Sequence, residues 1–146
     1  MSLVIITGGT GLVGTALSKL LTSKGYSVII LCRNPSSRRS WSSLISYAGW
    51  NLKDQTINEE AIGRAKYIIH LAGAGVADKR WTSNRKEEIQ ESRIKGSDLI
   101  IKALTQIPNN VEAVVSASAI GYYPETAAVQ SVETDPSDPG FLGETC

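Results

Sequence analysis

The run Leu3-Val4-Ile5-Ile6-Thr7-Gly8-Gly9-Thr10-Gly11-Leu12-Val13-Gly14 decides how this chain is read. Four apolar, mostly β-branched residues lead into a glycine-rich turn, and apolar residues then recur at helical spacing through Leu20 and Leu21. Strand, glycine turn and helix in that order open a dinucleotide-binding unit. Each glycine has its own reason: Gly8 where the strand turns sharply, Gly11 where backbone approaches a pyrophosphate, and Gly14 where the helix presses on the strand. The unpaired amides and partly positive end of the helix suit an anionic diphosphate. Thr10 and Leu12 of the same turn join Gly8, Gly11 and Gly14 as expected cofactor-binding residues. The run fits two glycine frames at once, starting at Gly8 or at Gly9, so its context of strand, helix and second strand carries the assignment. No Gly-Lys-Ser/Thr ending follows, which disfavours a nucleoside triphosphate loop.

Outward from the turn, a first helix is expected from Leu12 to Lys24, with Val13, Ala16, Leu17, Leu20 and Leu21 as its apolar stripe and Gly25 as its stop. Ser27 to Cys32 is apolar on both faces, as a strand inside a parallel sheet reads. An NAD-binding unit usually places an acidic residue near the end of this strand to meet the adenosine ribose. Here the stretch is Leu31-Cys32-Arg33-Asn34-Pro35, with Arg38 and Arg39 close behind. A guanidinium grips a 2′-phosphate bidentately and stacks on adenine, so Arg33 favours NADP over NAD; the plain alternative is a solvated basic loop.

The 146 residues suffice for one domain with a proper core. Lys and Arg number 15 against 14 Asp and Glu, a balance that makes no electrostatic case for nucleic acid or an anionic membrane. No apolar run is long enough to span a bilayer, and the Met1-Ser2-Leu3-Val4 start lacks the lead of a signal peptide. Cys32 and Cys146 are too few for a disulfide framework and lie in no metal-binding pattern, which fits a reducing, cytoplasmic setting and no metal. Phe141 to Cys146 begins a new element and stops, the expected sign of a longer protein.

Further along, Pro35 to Ser43 reads as a mobile loop, Leu44 to Trp50 as a third strand, and Asn58 as the cap of a short helix through Gly63. Trp41 and Trp50 read as core or lid residues. Tyr67 to Leu71 is a fourth strand, ending at Ala72 and Gly73, small residues at the edge where open α/β sheets bind ligands. His70, the one histidine, titrates in a range that suits an acid or base, but within a strand it reads first as structural. A long helix follows, capped by Thr82, Ser83 or Asn84 and running to about Leu104, with Ile89, Gly96, Ile100 and Ala103 inward. Arg93 falls on or beside that face and needs either a carboxylate partner or a role in the site. Val111 to Val115 is a fifth strand that empties into Ser116-Ala117-Ser118-Ala119-Ile120-Gly121-Tyr122-Tyr123, where catalytic groups or merely a packed strand end would stand. The charged, Pro-rich loop beyond reads as solvated.

Taken together, the glycine turn, Arg33-Asn34-Pro35, Leu71-Ala72-Gly73 with Asp78-Lys79-Arg80-Trp81-Thr82, and the Ser116 to Tyr123 run resemble the short-chain dehydrogenase/reductase superfamily. Within it the chain is most similar to the atypical, epimerase-like branch of nucleoside-diphosphate-sugar epimerases. The resemblance implies that Gly8, Gly11 and Gly14 hold the pyrophosphate, Arg33 meets the 2′-phosphate, and Leu71, Ala72 and Gly73 line the cofactor toward its nicotinamide end. It puts Arg93 where extended members carry a structural asparagine, and Ser118 where they carry a catalytic hydroxyl. Longer members continue into a second half that completes the substrate pocket.

The departure from that family is in the catalytic pair. Superfamily catalysis uses Tyr-x-x-x-Lys, the lysine lowering the tyrosine pKa so that phenolate takes a proton during hydride transfer. The fourth residue after Tyr26, Tyr47, Tyr67, Tyr122 and Tyr123 is Ile30, Asn51, Leu71, Thr126 and Ala127, none of them lysine. The usual place of the pair aligns most nearly with Phe141 and Thr145. The sequence therefore predicts a doubly wound α/β (Rossmann) domain over residues 1–146, with parallel strand order 3-2-1-4-5, as the N-terminal cofactor half of a longer protein. One functional reading is an NADP-dependent oxidoreductase or epimerase acting on a nucleotide-sugar-like or small carbonyl/hydroxyl substrate, with Ser118 polarising the reacting oxygen and Tyr122 or Tyr123 as substitute acid/base. The other is a non-catalytic NADP(H) sensor or interaction protein; a homodimer is open in either.

Overall fold

In a computed structural model, the structure describes residues 1–125 and 130–146. Five strands run parallel: β1 (Leu3–Thr7), β2 (Ser27–Cys32), β3 (Ile45–Asn51), β5 (Tyr67–His70) and β6 (Ala113–Ser116). A two-residue strand, β4 (Thr56–Ile57), pairs antiparallel with the end of β3, giving the order β4-β3-β2-β1-β5-β6. The expected parallel order is present, and β4 is an addition. Helix α1 (Leu12–Ser23) connects β1 to β2, α2 (Glu59–Arg64) leads to β5, and α3 (Ser83–Gln106) crosses back to β6. A short α4 (Phe141–Thr145) follows one 3-10 turn at Ile120–Tyr122.

Side chains of successive strand residues point to opposite faces, so each strand feeds two cores. Val4, Ile6, Val28, Ile30 and Ile45 meet Leu17 and Leu21 of α1 on one face. On the other, Ile5, Leu31, Trp50 and Ile68 meet Ile62 of α2 and Leu99, Ile100 and Ala103 of α3. Burial on both faces is what the near-continuous apolar reading of β1 and β2 demands. Asn58 caps α2 by accepting the Ala61 amide at 2.8 Å, and Thr82 caps α3 by accepting the Arg85 amide at 3.2 Å.

Several expectations shift. The apolar stripe of α1 is rotated: Leu17 and Leu21 pack on the sheet, while Val13 and Leu20 stand 63% and 53% exposed and the buried positions are Gly14 and Ser18. Small residues are what let the helix seat this close. Gly14 permits the approach, and Ser18 satisfies itself by donating to the Gly14 carbonyl at 2.7 Å. Trp50 is core, whereas Trp41 is half exposed. The fifth parallel strand begins at Ala113 rather than Val111, and all four of its residues are exposed. Of the charged, Pro-rich stretch after Tyr123, residues 126–129 lie outside the described residues. Among the described residues, no helix is long and apolar enough to cross a membrane.

Ile68 is fully buried between β1 and α3, so Ile68→Ala removes three carbons from a site with little freedom to collapse. The expected cost is about 2–5 kcal/mol, read as a lower urea midpoint with an unchanged slope.

Candidate functional site

The carboxyl ends of β1, β2, β3 and β5 lie side by side, and the loops leaving them make one continuous edge. At its centre, β1 turns through Gly8, whose φ of 71° is costly for any residue with a Cβ. A Cβ there would also come within 2.8 Å of the Leu71 carbonyl carbon and 2.9 Å of the Ala72 nitrogen. At Gly14 a Cβ would fall on the Gly8 carbonyl oxygen and the Gly9 Cα. These two glycines are thus required by the protein's own packing. Gly11 is not: it is exposed, and a Cβ would find only the Gly8 carbonyl oxygen at 3.4 Å.

Gly11 is the N-cap of α1, and no side chain caps that helix or places an acidic group in its first turn. Its first amides therefore have no side-chain partner beside an exposed glycine, and the partly positive end of the helix suits an anion. Thr10 and Leu12 stand at the same rim, Leu12 with 90% of its surface exposed.

Arg33 leaves β2 directly after the buried Cys32. It is exposed and, among the described residues, makes no hydrogen bond or ion pair. It lines a cavity of about 370 Å³ with Gly49, Trp50 and Asn51 of β3, Thr56 and Ile57 of β4, and Asn58. The unexpected strand β4 is a wall of that cavity. Arg38 and Arg39 are exposed and take no part in it.

On the other side of β1, Leu71 and Ala72 are half-buried and Gly73 is exposed. Their position is fixed by Thr7. Its buried Oγ1 accepts from the Leu71 and Ala72 amides, each at 3.2 Å, and lies 2.6 Å from Nδ1 of His70. His70 itself is 6% exposed, and burial pushes its pKa below the ordinary histidine value. His70 therefore lies buried at the end of β5, the strand where the sequence places it.

The segment after Gly73 is held by one face of α3. Ser92 Oγ accepts from the Ala74 amide at 2.9 Å, Arg93 Nη1 donates to the Ala74 carbonyl at 3.1 Å, and Arg85 Nη2 donates to the Gly75 carbonyl at 2.6 Å. Arg93 therefore finds backbone carbonyls rather than the carboxylate that was one of its two expected options. Arg85 also donates to Glu88 at 2.6 Å and holds that carboxyl below the usual range. Trp81 turns back to donate to the Val76 carbonyl at 2.6 Å and meets Phe141 of α4 edge to face at 5.2 Å. Arg85, Ser92 and Thr7 were not singled out by the sequence. For the first two the available signal was their spacing on the Ile89 and Gly96 face of α3.

Ser118, two residues beyond β6, is exposed and without a hydrogen bond among the described residues. Tyr122 and Tyr123 are half-buried, with their rings edge to face at 5.0 Å. Tyr123 lines a cavity of about 900 Å³ with Ile120, Pro124, Asp138 and Leu142, whereas Ser118 and Tyr122 do not line it. The structure thus keeps all three at the β6 end of the edge without gathering them around one cavity.

This arrangement has relatives. The model of the NAD dependent epimerase/dehydratase family matches residues 4–141. The chain belongs to that family. An epimerase family protein of Staphylococcus haemolyticus is 33% identical over 147 residues, covering 99% of this chain and 46% of its own length. The chain thus spans about half the length of the curated relatives it matches. The human epimerase family protein SDR39U1, solved with NADPH, has a TM-score of 0.77 at 24% identity, covering 98% of this chain and 45% of its own. MoeE5, solved with UDP-glucose and NAD, has a TM-score of 0.76 at 25% identity, covering 97% of this chain and 44% of its own.

The contrast among the glycines of this epimerase-family chain is measurable without any ligand. Gly14→Ala forces α1 off the β1 turn and is expected to cost roughly 1–3 kcal/mol or more, as overpacked sites do. Gly11→Ala meets only the Gly8 carbonyl oxygen at van der Waals distance, 3.4 Å, and is expected to stay within about 0.5 kcal/mol of wild type in the same thermal unfolding experiment.

Proposed function

We propose that this edge binds a nicotinamide dinucleotide, NADP in preference to NAD, for an oxidoreductase or epimerase acting on a nucleotide-sugar-like or small carbonyl/hydroxyl substrate. The observation that carries the reading is Gly11. It is a glycine that the protein's own packing does not require, exposed at the uncapped start of α1. Room for backbone to approach a pyrophosphate accounts for it. Gly8, Thr10, Leu12 and Gly14 shape the same turn, and Leu71, Ala72 and Gly73 supply the opposite wall.

Arg33 gives the preference its chemistry. An unpaired guanidinium at the mouth of a cavity offers bidentate donors to a 2′-phosphate, and the stretch Arg33-Asn34-Pro35 has no carboxylate for a ribose diol. The NADPH held by human SDR39U1 agrees with this reading, while MoeE5 holds NAD. In paired titrations, NADPH is expected to bind more tightly than NADH, and Arg33→Ala to remove the difference, on the order of tenfold or more. Equal affinities in wild type, or a preference intact in Arg33→Ala, would count against the role of Arg33.

A bound nicotinamide supplies or accepts hydride. The chain's own contribution to the chemistry is a hydroxyl: Ser118 is free to donate to the reacting oxygen, and Tyr122 or Tyr123 to carry its proton. The nucleotide-sugar class is supported by the UDP-glucose in MoeE5. Wild type is expected to turn over a nucleotide sugar or to oxidise NADPH against a carbonyl panel. Ser118→Ala should lower kcat by roughly a hundredfold or more. Turnover untouched by the substitution removes Ser118 from the mechanism.

A second reading rests on a specific absence. No tyrosine of this chain has lysine four residues on, so no ammonium is placed to lower a phenol's pKa by that device. A non-catalytic NADP(H) sensor or interaction protein needs the cofactor edge without that pair. NADPH binding with no turnover on any of these substrates identifies it.

A further inference from the structure

The buried contact between Thr7 and His70 joins residues 63 positions apart, at the point where the two walls of the cofactor edge meet. Hydrogen-bond arithmetic fixes its direction. A threonine hydroxyl has one proton and two lone pairs, and Thr7 Oγ1 accepts from the Ala72 amide and from the Leu71 amide, which it shares with the Thr7 carbonyl. Its proton is left for the neighbour at 2.6 Å, so the Thr7 hydroxyl donates to Nδ1 of His70, and the imidazole carries its own proton on Nε2. A methyl or ring carbon in place of Nδ1 would leave the buried hydroxyl proton without a partner.

The same peptide is pinned from its other side. Backbone at Gly8 lies so close to Leu71 and Ala72 that even a Cβ would overlap them, at 2.8 and 2.9 Å. The far edge of the imidazole is set by α3 and β3. A Cβ on Gly96 would stand 3.1 Å from Cε1, and the Trp50 ring meets His70 edge to face at 6.0 Å. Trp50 in turn lines the Arg33 cavity. One ring thus meets Thr7 of the turn strand, Gly96 of α3 and the tryptophan that lines the Arg33 cavity.

We propose that His70 is a positioning residue of the dinucleotide site: by taking the Thr7 proton at Nδ1, it fixes the Thr7 hydroxyl as acceptor for the Leu71 and Ala72 amides. The β1–β5 ladder already ties the Leu71 amide to the Thr7 carbonyl at 3.1 Å, and the hydroxyl adds the Ala72 amide at 3.2 Å, so it fixes how the Leu71–Gly73 wall leaves the ladder beside the Gly8–Gly14 turn. The inference rests on the cofactor reading above and adds a residue that does not touch the ligand.

Two measurements test it on the full protein. Nitrogen NMR of the single histidine, without cofactor, should show the neutral form with Nε2 protonated and Nδ1 bare; an Nδ1-protonated ring overturns the proposal. NADPH titrations then compare His70→Asn and Thr7→Ser, which keep the acceptor and the hydroxyl, with His70→Phe and Thr7→Val, which keep only the shape. The first pair should bind NADPH like wild type, and the second pair more weakly by on the order of tenfold, at temperatures where each is folded. A purely structural role lowers the melting temperature without this ordering of affinities. Should His70→Phe fail to fold, Thr7→Val against Thr7→Ser reads the same bond from its other end. Wild type that binds NADPH, with the shape-only variants binding equally well, overturns this inference alone. Wild type that does not bind NADPH overturns the cofactor reading and the inference with it.

Discussion

The seating of α1 against the end of β1 is the constraint on which the rest of the edge depends. Because Gly14 presses on the Gly8 and Gly9 backbone, the uncapped start of α1 is held directly against the turn that ends β1. The rotation that brings Gly14 and Ser18 inward turns Val13 and Leu20 outward. A larger residue at position 14 or 18 would restore the simple apolar stripe and lose the turn. Apolar burial was traded for backbone proximity, a choice expected where a ligand rather than a core is served.

Much of this was legible in the chain. Apolar runs located the five parallel strands, helical spacing and capping residues located three of the helices, and short polar side chains marked two helix starts, at Asn58 and within Thr82 to Asn84, where Thr82 is the cap. What escaped shares a physical cause. Strand β4 has only two residues, too few to show a period, and forms because the turn after Asn51 folds back on β3. The rotated face of α1 is decided by contact distance, which hydropathy does not encode. The bond from Thr7 to His70 and the grip of Arg85, Ser92 and Arg93 on the Ala74 and Gly75 backbone depend on parts of the chain meeting across the fold. Sequence shows the capacity of such side chains to bond, but not their partners.

The two ends of the edge differ in completeness. Around Gly11, Arg33 and Leu71 the donors, small residues and walls are already arranged by buried contacts. Around Ser118 and the two tyrosines the groups are exposed or spread over separate surfaces. Binding and chemistry therefore impose different demands on this half-length family member. The edge proposed for the cofactor is built from buried contacts within the described fold, while the groups proposed for chemistry lack a common enclosure.

The sheet is also unequal at its two borders. On one side, β4 crosses the end of β3 in the opposite sense and blunts it. On the other, β6 has no further strand beside it among the described residues, and Val114 and Val115 show 45% and 59% of their surfaces on its two faces. A border of that kind is a template on which backbone amides and carbonyls of another strand can register.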